Sequence, residues 1–531
     1  MMFPSGWIYD ALAIGGYFAV ILTIGLWPRK QGTLADFSLG GREMPWWAVT
    51  ASILAAEISA ATFLGGPEEG FSKRNFTYAQ LAIGTVLARA IVAYIFIKPY
   101  YEYGVVSIYD FLRIRFGNTT KNAASVIFLL TRVLASGTRL YVAGVIVVIG
   151  IEYVTGIKPD AATEVAIYIG VLSALAFLTT IYTAIGGIKA VVWTDFIQAT
   201  LMFSALGYAA WSLLGSIPGG WSGAQSYLQA PGDLAFWNFG VSEGSIWKQI
   251  RYVLEEPYTI WSALIGSTFI TMATHGTDQD MVQRMLTAKD YHRSRLAVIC
   301  SGLIDIPVVL VVLTVGILLY VFYQTHTDPN LPGKNIFAYW IVHQVPPGFR
   351  GLMVAGVLST AMGSLSTALN ALATSFVKDW WMPYFGKSSA DERAHVRAVR
   401  WSTVGFSALL VLVGAMTARA VVIYPDARII PIVLGIFGYT YGSLLGIFLV
   451  GLITKTRGND TGNLFAMAGG FIVVAILSGL PNDLWFAATH QTLAKPDWMP
   501  TIAFPWRVFF GAVTTMAIAL CFASKTEKAR V

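Results

Sequence analysis

The chain is 531 residues long, 56% hydrophobic and only 12% charged, with a mean hydropathy of +0.62. Soluble globular proteins carry about 25% charged residues, so a fold surrounded by water would leave much of this apolar surface uncovered, whereas a chain that crosses a bilayer repeatedly has lipid as its solvent. The net charge of +7 then reads as a topology signal rather than a nucleic-acid footprint, and the two cysteines, Cys300 and Cys521, lie in apolar runs and are too few for a disulfide framework.

Apolar runs of roughly 20 residues, enough to cross the hydrocarbon core, predict about thirteen spans. The first, 7–27, has no basic leader or small-residue cleavage site and reads as a retained helix, not a signal peptide. Five follow at 46–66, 76–98, 121–151, 162–185 and 188–215. After a connection rich in Gly, Trp and Ser come five more, at 252–276, 293–324, 349–380, 396–419 and 428–454, and then 462–480 and 504–523. Five spans on each side of the connection put the two halves in opposite orientations, the count expected of an inverted repeat with its site at the midplane. The predicted units are 1–45 (extra helix and loop), 46–215 (first half), 216–251 (extracellular connection), 252–454 (second half) and 455–531 (two further helices and a basic tail). The larger share of the 36 basic residues is cytoplasmic if the N-terminus lies outside and the C-terminus inside. The expected location is a cell membrane of the bacterial inner-membrane kind, spanned many times.

The stretch Trp46 to Gly66 is long and apolar enough to span, yet its middle, Ala55 to Thr62, reads A-A-E-I-S-A-A-T. A carboxylate and hydroxyls at mid-membrane depth mark an ion or substrate pathway. Such an interruption is also where a transporter helix breaks and offers bare carbonyls to a cation. Six formal charges fall deep within predicted spans, away from their ends: Glu57, Arg89, Arg132, Arg139, Asp195 and Asp305. They either pair inside the bundle or serve a solute. Arg132 and Arg139 are seven residues apart and share a helix face. They call for anions, from the protein or from a substrate, and a guanidinium fork suits a carboxylate.

From Leu358 to Asn370 the chain concentrates Ser364, Ser366, Thr367 and Asn370. That density fits either close helix packing or a cage of neutral oxygens for Na⁺. Gly186–Gly187 predicts a tight turn, which leaves Asp195 about two helical turns into the next span as an ion-pair partner or a cation ligand. The run Thr271 to Arg284, T-M-A-T-H-G-T-D-Q-D-M-V-Q-R, is expected to end a span at the cytoplasmic face. His275 has no spaced partners for a metal site. No phosphate-cradling loop or nucleophile–base constellation stands out, so neither ATP drive nor an enzyme is supported.

The chain resembles the sodium:solute symporter family, which includes sodium/sugar, sodium/proline, sodium/iodide and sialic acid symporters. The resemblance runs from about Phe37 to Lys455 on motifs in order: F-S-L-G-G-R at 37–42, I-S-A-A-T-F at 58–63, Y-T-A-I-G-G-I-K-A-V-V-W-T-D at 182–195, T-D-Q-D-M-V-Q-R at 277–284, G-S-L-S-T-A-L-N at 363–370 and Y-T-Y-G-S-L-L-G at 439–446. It implies an all-α polytopic membrane protein with a LeuT-type fold, two inverted five-helix repeats and extra helices. It also implies a primary sodium site at the carbonyls of Ala55, Ile58 and Thr360 and the hydroxyl of Ser364. Where the motif commonly has a serine or threonine before the last of these, this chain has Gly363. A second site of some members would fall on Asp195, Ser366 and Thr367. The polar substrate positions of galactose-type members match Thr271, Thr274, Asp305 and Leu434, which argues against a sugar of that type. The set used by sialic acid members is similar to Ser59, Thr62, Phe76, Gln80 and either Arg132 or Arg139, with Glu57 and Phe63 in the same broken segment.

The expected activity is sodium-coupled symport of a small organic solute, an organic anion such as a sialic acid or another carboxylate. The expected partners are the solute, Na⁺ and lipid, without nucleic acid or an obligatory protein partner. One alternative is proton coupling through Asp195, Glu57 or Asp305. Another is a solute-sensing module, although the nine residues after Phe522 leave no room for an output domain.

Overall fold

Lipid cannot hydrogen-bond a backbone, so spanning segments must be helices or closed barrels. The computed structural model builds from helices and describes residues 6–27, 32–241, 243–385, 392–423, 435–489, 491, 493, 496 and 499–524. Among them the strand-like contacts are two isolated bridges, Met44 with Ala288 and Arg457 with Ala523. Eight described helices are long and apolar enough to cross a membrane singly, and two bent pairs raise the total to 10.

The expected count of thirteen is not reached on that basis, and the differences have physical causes. Ala161–Ser216 runs for 56 residues, but its backbone leaves helical geometry at Gly187, with φ 56° and ψ −159°. A residue with a Cβ is strained at that φ. The predicted glycine turn is therefore present, and it divides one long element into two stretches of spanning length. The span expected over 252–276 is in pieces: a π-helical turn at Ser262–Ser267, a helix Thr268–Gly276, and, after Thr277 and Asp278, a further helix Gln279–Met285. The start of the span expected at 428–454 lies outside the described residues up to 434, and its helix is Ile436–Ile453.

The expected span 46–66 is a broken helix, Trp46–Glu57 followed by Ala60–Lys73, bent by 67°. It packs chiefly against Tyr291–Thr325 and Ala161–Ser216, and two further elements reach it at the site. One is the arginine helix, Asn118–Thr155. The other is the serine helix, Phe349–Phe376, buried on nearly every face. Backbones touch where side chains are absent: a Cβ at Gly316 would lie 2.0 Å from the Pro67 carbonyl oxygen. Such close approach is how helices pack where lipid supplies no hydrophobic drive. The N-terminal helix Trp7–Gly25 docks on the outside. Its Asp10 carboxylate accepts from the Gly348 and Gly351 N–H groups at 2.7 and 2.9 Å and from Arg350, capping the start of the serine helix. The outer wall is apolar, with Trp211 and Trp401 72% and 75% exposed, as suits a lipid-facing surface.

Candidate functional site: two helix breaks and a polar cavity

The first break is set by its backbone. Ile58 (φ −84°, ψ 90°) and Ser59 (φ −79°, ψ 167°) are extended. The Ser59 N–H turns to the Glu57 carbonyl, and the Thr62 and Phe63 N–H groups go to the Ser59 carbonyl. In a continuous helix those of Ser59 and Thr62 would bond the carbonyls of Ala55 and Ile58. Both carbonyls are thereby released from their usual donors. The serine helix faces this break. A Cβ at Gly363 would lie 3.5 Å from the Ala55 carbonyl oxygen. Ser364 Oγ is buried and has no hydrogen-bond partner among the described residues. The Thr360 hydroxyl donates to the Val357 carbonyl at 2.7 Å, which leaves its backbone oxygen as the group it can offer. Ser59, Ser136, Asp280 and Ser364 line a cavity of about 20 Å³ beside the break, room for about one water-sized particle.

The second break, at Thr277–Asp278, lies in the run expected to end a span at the cytoplasmic face, and a further helix, Gln279–Met285, follows it. Asp278, Asp280 and Arg284 are all buried. Asp278 caps the following helix by accepting from the Asp280 N–H at 2.9 Å. It also takes a hydrogen bond from Tyr441 and pairs with Arg132, which reaches Asp280 at 3.1 Å as well. Arg132 therefore has its anions within the protein. Arg139 lies over the Phe437 ring at 4.8 Å and has no carboxylate partner among the described residues. Both arginines line a larger cavity of about 570 Å³, together with Glu57, Thr271, Thr274 and Phe437. Glu57 is bonded by the fully buried Arg89, with His275 Nε2 3.4 Å from its other oxygen. The cavity extends to Gly435, Phe504 and Arg507, at the starts of the last described helices of the bundle. On its other side the bundle is sealed. Gln283 bonds the Ser38 carbonyl and Asn370 at 2.7 and 2.6 Å, and the Ser38 and Thr374 hydroxyls meet at 2.9 Å.

A chain with bare carbonyls at a mid-span break, an unpartnered serine opposite and a polar cavity alongside is built to pass ions and solutes. The profile of the sodium:solute symporter family matches residues 37–470. The chain belongs to the sodium:solute symporter family. It is similar to the human sodium-coupled monocarboxylate transporter 1, at 27% identity over 92% of this chain and 75% of that protein. It is equally similar to a sodium-dependent multivitamin transporter of Oryctolagus cuniculus, at 27% identity over 93% and 74%. The structure of a Na⁺-coupled sialic acid symporter in a substrate-bound outward-open state superposes with a TM-score of 0.77 at 20% identity, over 98% of this chain and 99% of that one, which confirms the LeuT-type helical fold. The protein is thus a multi-pass membrane symporter that couples a small solute to sodium, and not an enzyme.

Of the symporter's expected solute residues, Glu57, Ser59, Arg132, Arg139, Thr271 and Thr274 line the two cavities. Thr62 does not, and touches the site through its hydroxyl, 3.4 Å from that of Ser59. Phe63 is fully buried against Phe337. Phe76 stacks on Phe236, and Gln80 bonds the carbonyls of Thr77 and Tyr258 and the Asn238 N–H, so both anchor the 216–251 connection. Asp305 lines neither cavity, and Leu434 lies outside the described residues. At the expected second cation position, Asp195 accepts from Ser52 at 2.5 Å and sits 3.6 Å from Arg284, while the Ser366 and Thr367 hydroxyls donate to the Gly363 and Ser364 carbonyls. Sequence reasoning missed Asp278, Asp280, Ser136, Phe437 and Tyr441 as site residues. The two acids carried a usable signal, since Arg132 needed buried anions.

Proposed function

We propose that this symporter carries a small organic anion, of which a monocarboxylate is the simplest case, with its carboxylate on Arg139. The observation that carries this reading is the contrast along one helix face: Arg132 is neutralised by Asp278 and Asp280, whereas Arg139 borders both cavities without a carboxylate partner among the described residues. An uncompensated guanidinium inside a membrane protein costs several kcal/mol, and a bound anion offsets that cost with charge-assisted hydrogen bonds. The Ser59 and Ser136 hydroxyls beside it are further donors. The monocarboxylate relatives support the same solute class.

Sodium is read as binding at the carbonyls of Ala55, Ile58 and Thr360 and the hydroxyl of Ser364. It ties the broken helix to the serine helix and so favours the arrangement in which the solute cavity is formed; a ligand shifts such an equilibrium only by its differential affinity for the two states. With the basic loops cytoplasmic, the N-terminus lies outside, and the cavity mouth at Gly435 and Phe504 faces outward over a sealed cytoplasmic side. An inward-moving sodium ion also gains about 2.3 kcal/mol per 100 mV. The two halves, 46–215 and 252–454, are read as inverted repeats, each opening with a broken helix.

Uptake into proteoliposomes tests this reading. Monocarboxylates should accumulate under an inward sodium gradient, and their neutral amides should not. Arg139→Gln should weaken carboxylate transport by roughly tenfold to a hundredfold, the worth of a charged hydrogen bond, while leaving sodium binding in place. Gradient-independent uptake, or equal uptake of acid and amide, would overturn it.

A further inference from the structure

The departure from the family motif at Gly363 leaves the sodium site one side-chain oxygen short, and another residue fills that space. A Cβ at Gly363 would lie 2.9 Å from Gln198 Oε1, closer than side chains pack, and 3.5 Å from the Ala55 carbonyl oxygen. Gln198 is 2% exposed, and its Oε1 has no hydrogen-bond partner among the described residues. A buried amide oxygen without a donor calls for an explanation such as an ion. Its amide nitrogen is used: Nε2 donates to the Tyr17 hydroxyl at 3.4 Å, and that hydroxyl lies 3.7 Å from Met362 Sδ. Tyr17 belongs to the N-terminal helix, outside the 46–454 core, and is one of the three residues that this helix buries.

We propose that Gln198 is a sodium ligand of this symporter, its amide oxygen standing in for the hydroxyl missing at 363, and that Tyr17 is the positioning residue that aims it. The inference rests on the reading that sodium binds at Ala55, Ile58 and Ser364. It explains why Gly363 is small: a serine there would collide with the oxygen that replaces it. A neutral amide oxygen is a hard donor of the kind such cations take. It also gives the N-terminal helix a part in ion binding as well as in packing.

The test is a sodium titration of the purified full chain without solute, read by thermal shift and by radioactive sodium binding, since a ion that binds the folded state stabilises it. Gln198→Leu should raise the half-saturating sodium concentration about tenfold, the worth of one polar contact. Gln198→Glu, which keeps the volume and the oxygen, should bind sodium as well as the native chain or better. Gly363→Ser should weaken binding in the native background yet restore it in Gln198→Ala. Tyr17→Phe should raise the requirement about two- to fivefold. Ser364→Ala separates the failures. If it weakens sodium binding and Gln198→Leu does not, the site stands and Gln198 is not a ligand. If neither variant changes binding, the site itself is misplaced. If Gln198→Glu abolishes binding, the amide N–H faces the Ala55 carbonyl and the proposal is overturned.

Discussion

Two oxygen-rich places lie along the serine helix, one at Ser364 and the other at Asp195, Ser366 and Thr367, and they are filled differently. Around Ser364, beside the paired Asp280 carboxylate, neutral oxygens stand unused: the Ala55 and Ile58 carbonyls have lost their helical donors, and Ser364 Oγ and Gln198 Oε1 have no donor among the described residues. Around Asp195 there is a formal charge, and it already faces a buried guanidinium, although its Oδ1 has no hydrogen-bond partner among the described residues. Ser52 donates to it at 2.5 Å, Arg284 lies 3.6 Å away, and the neighbouring hydroxyls donate to carbonyls of their own helix. Asp195, Arg284, Asp280, Arg132 and Asp278 form a run of alternating charge within the bundle. The difference teaches that a buried neutral oxygen lacking a donor marks a cation position better than a carboxylate facing a buried guanidinium does, because that carboxylate already has its counter-charge.

The strongest way to break this comparison is to empty the occupied side. Arg284 is fully buried, donates hydrogen bonds to Asp280 and Ser52, and lies 3.6 Å from Asp195 as an ion pair. Arg284→Met leaves two carboxylates without their shared cation. It should cost about 3–5 kcal/mol, the usual loss on breaking a buried pair, measured by thermal or denaturant unfolding in detergent. Part of the loss should return with added sodium, because the bared Asp195 would then bind it, whereas Asp280 keeps Arg132. A loss below about 1 kcal/mol, in the range of exposed pairs, would show that the run of charges is not holding the bundle.

Much of this arrangement was legible in the residues, and what was not has physical reasons. A-A-E-I-S-A-A-T announced the break, because hydroxyls and a carboxylate in mid-span have few other uses. Gly186–Gly187 announced the turn, which needs the positive φ found at Gly187. Arg132 and Arg139 read alike, since helical periodicity places them on one face without saying what lies opposite. Only packing brings Asp278 and Asp280 to the first arginine, from a run expected to end a span at the cytoplasmic face. Gln198 was hidden for the same reason: its link to Gly363 and Tyr17 spans three separate helices. Phe76 and Gln80 matched a motif of solute-binding residues, yet the connection at 235–258 folds onto them and uses their polar and aromatic groups.

On the unused side the comparison is sharpened by Ser364→Ala. Loss of one oxygen ligand should raise the sodium concentration for half-maximal uptake about tenfold or more, near 1.5 kcal/mol or above. It should leave thermal stability without sodium nearly unchanged, because Ser364 Oγ bonds nothing in the described protein. An unchanged sodium requirement would remove Ser364 from the site.

The smallest expected effect is the most discriminating. Asp195→Asn keeps an oxygen to accept from Ser52 and another polar end beside Arg284, and Arg284 retains Asp280. If Asp195 serves the paired network, the sodium requirement should move by less than about threefold, under 0.7 kcal/mol, and the steepness of the sodium dependence should stay as it is. If Asp195 instead ligates a second sodium ion through Oδ1, its oxygen without a hydrogen bond, then removing the charge should flatten that dependence and lower the number of sodium ions carried per solute. Sodium-to-solute flux ratios in the native protein and the variant separate the two. The comparison between the two places survives only if the ratio is the same in both.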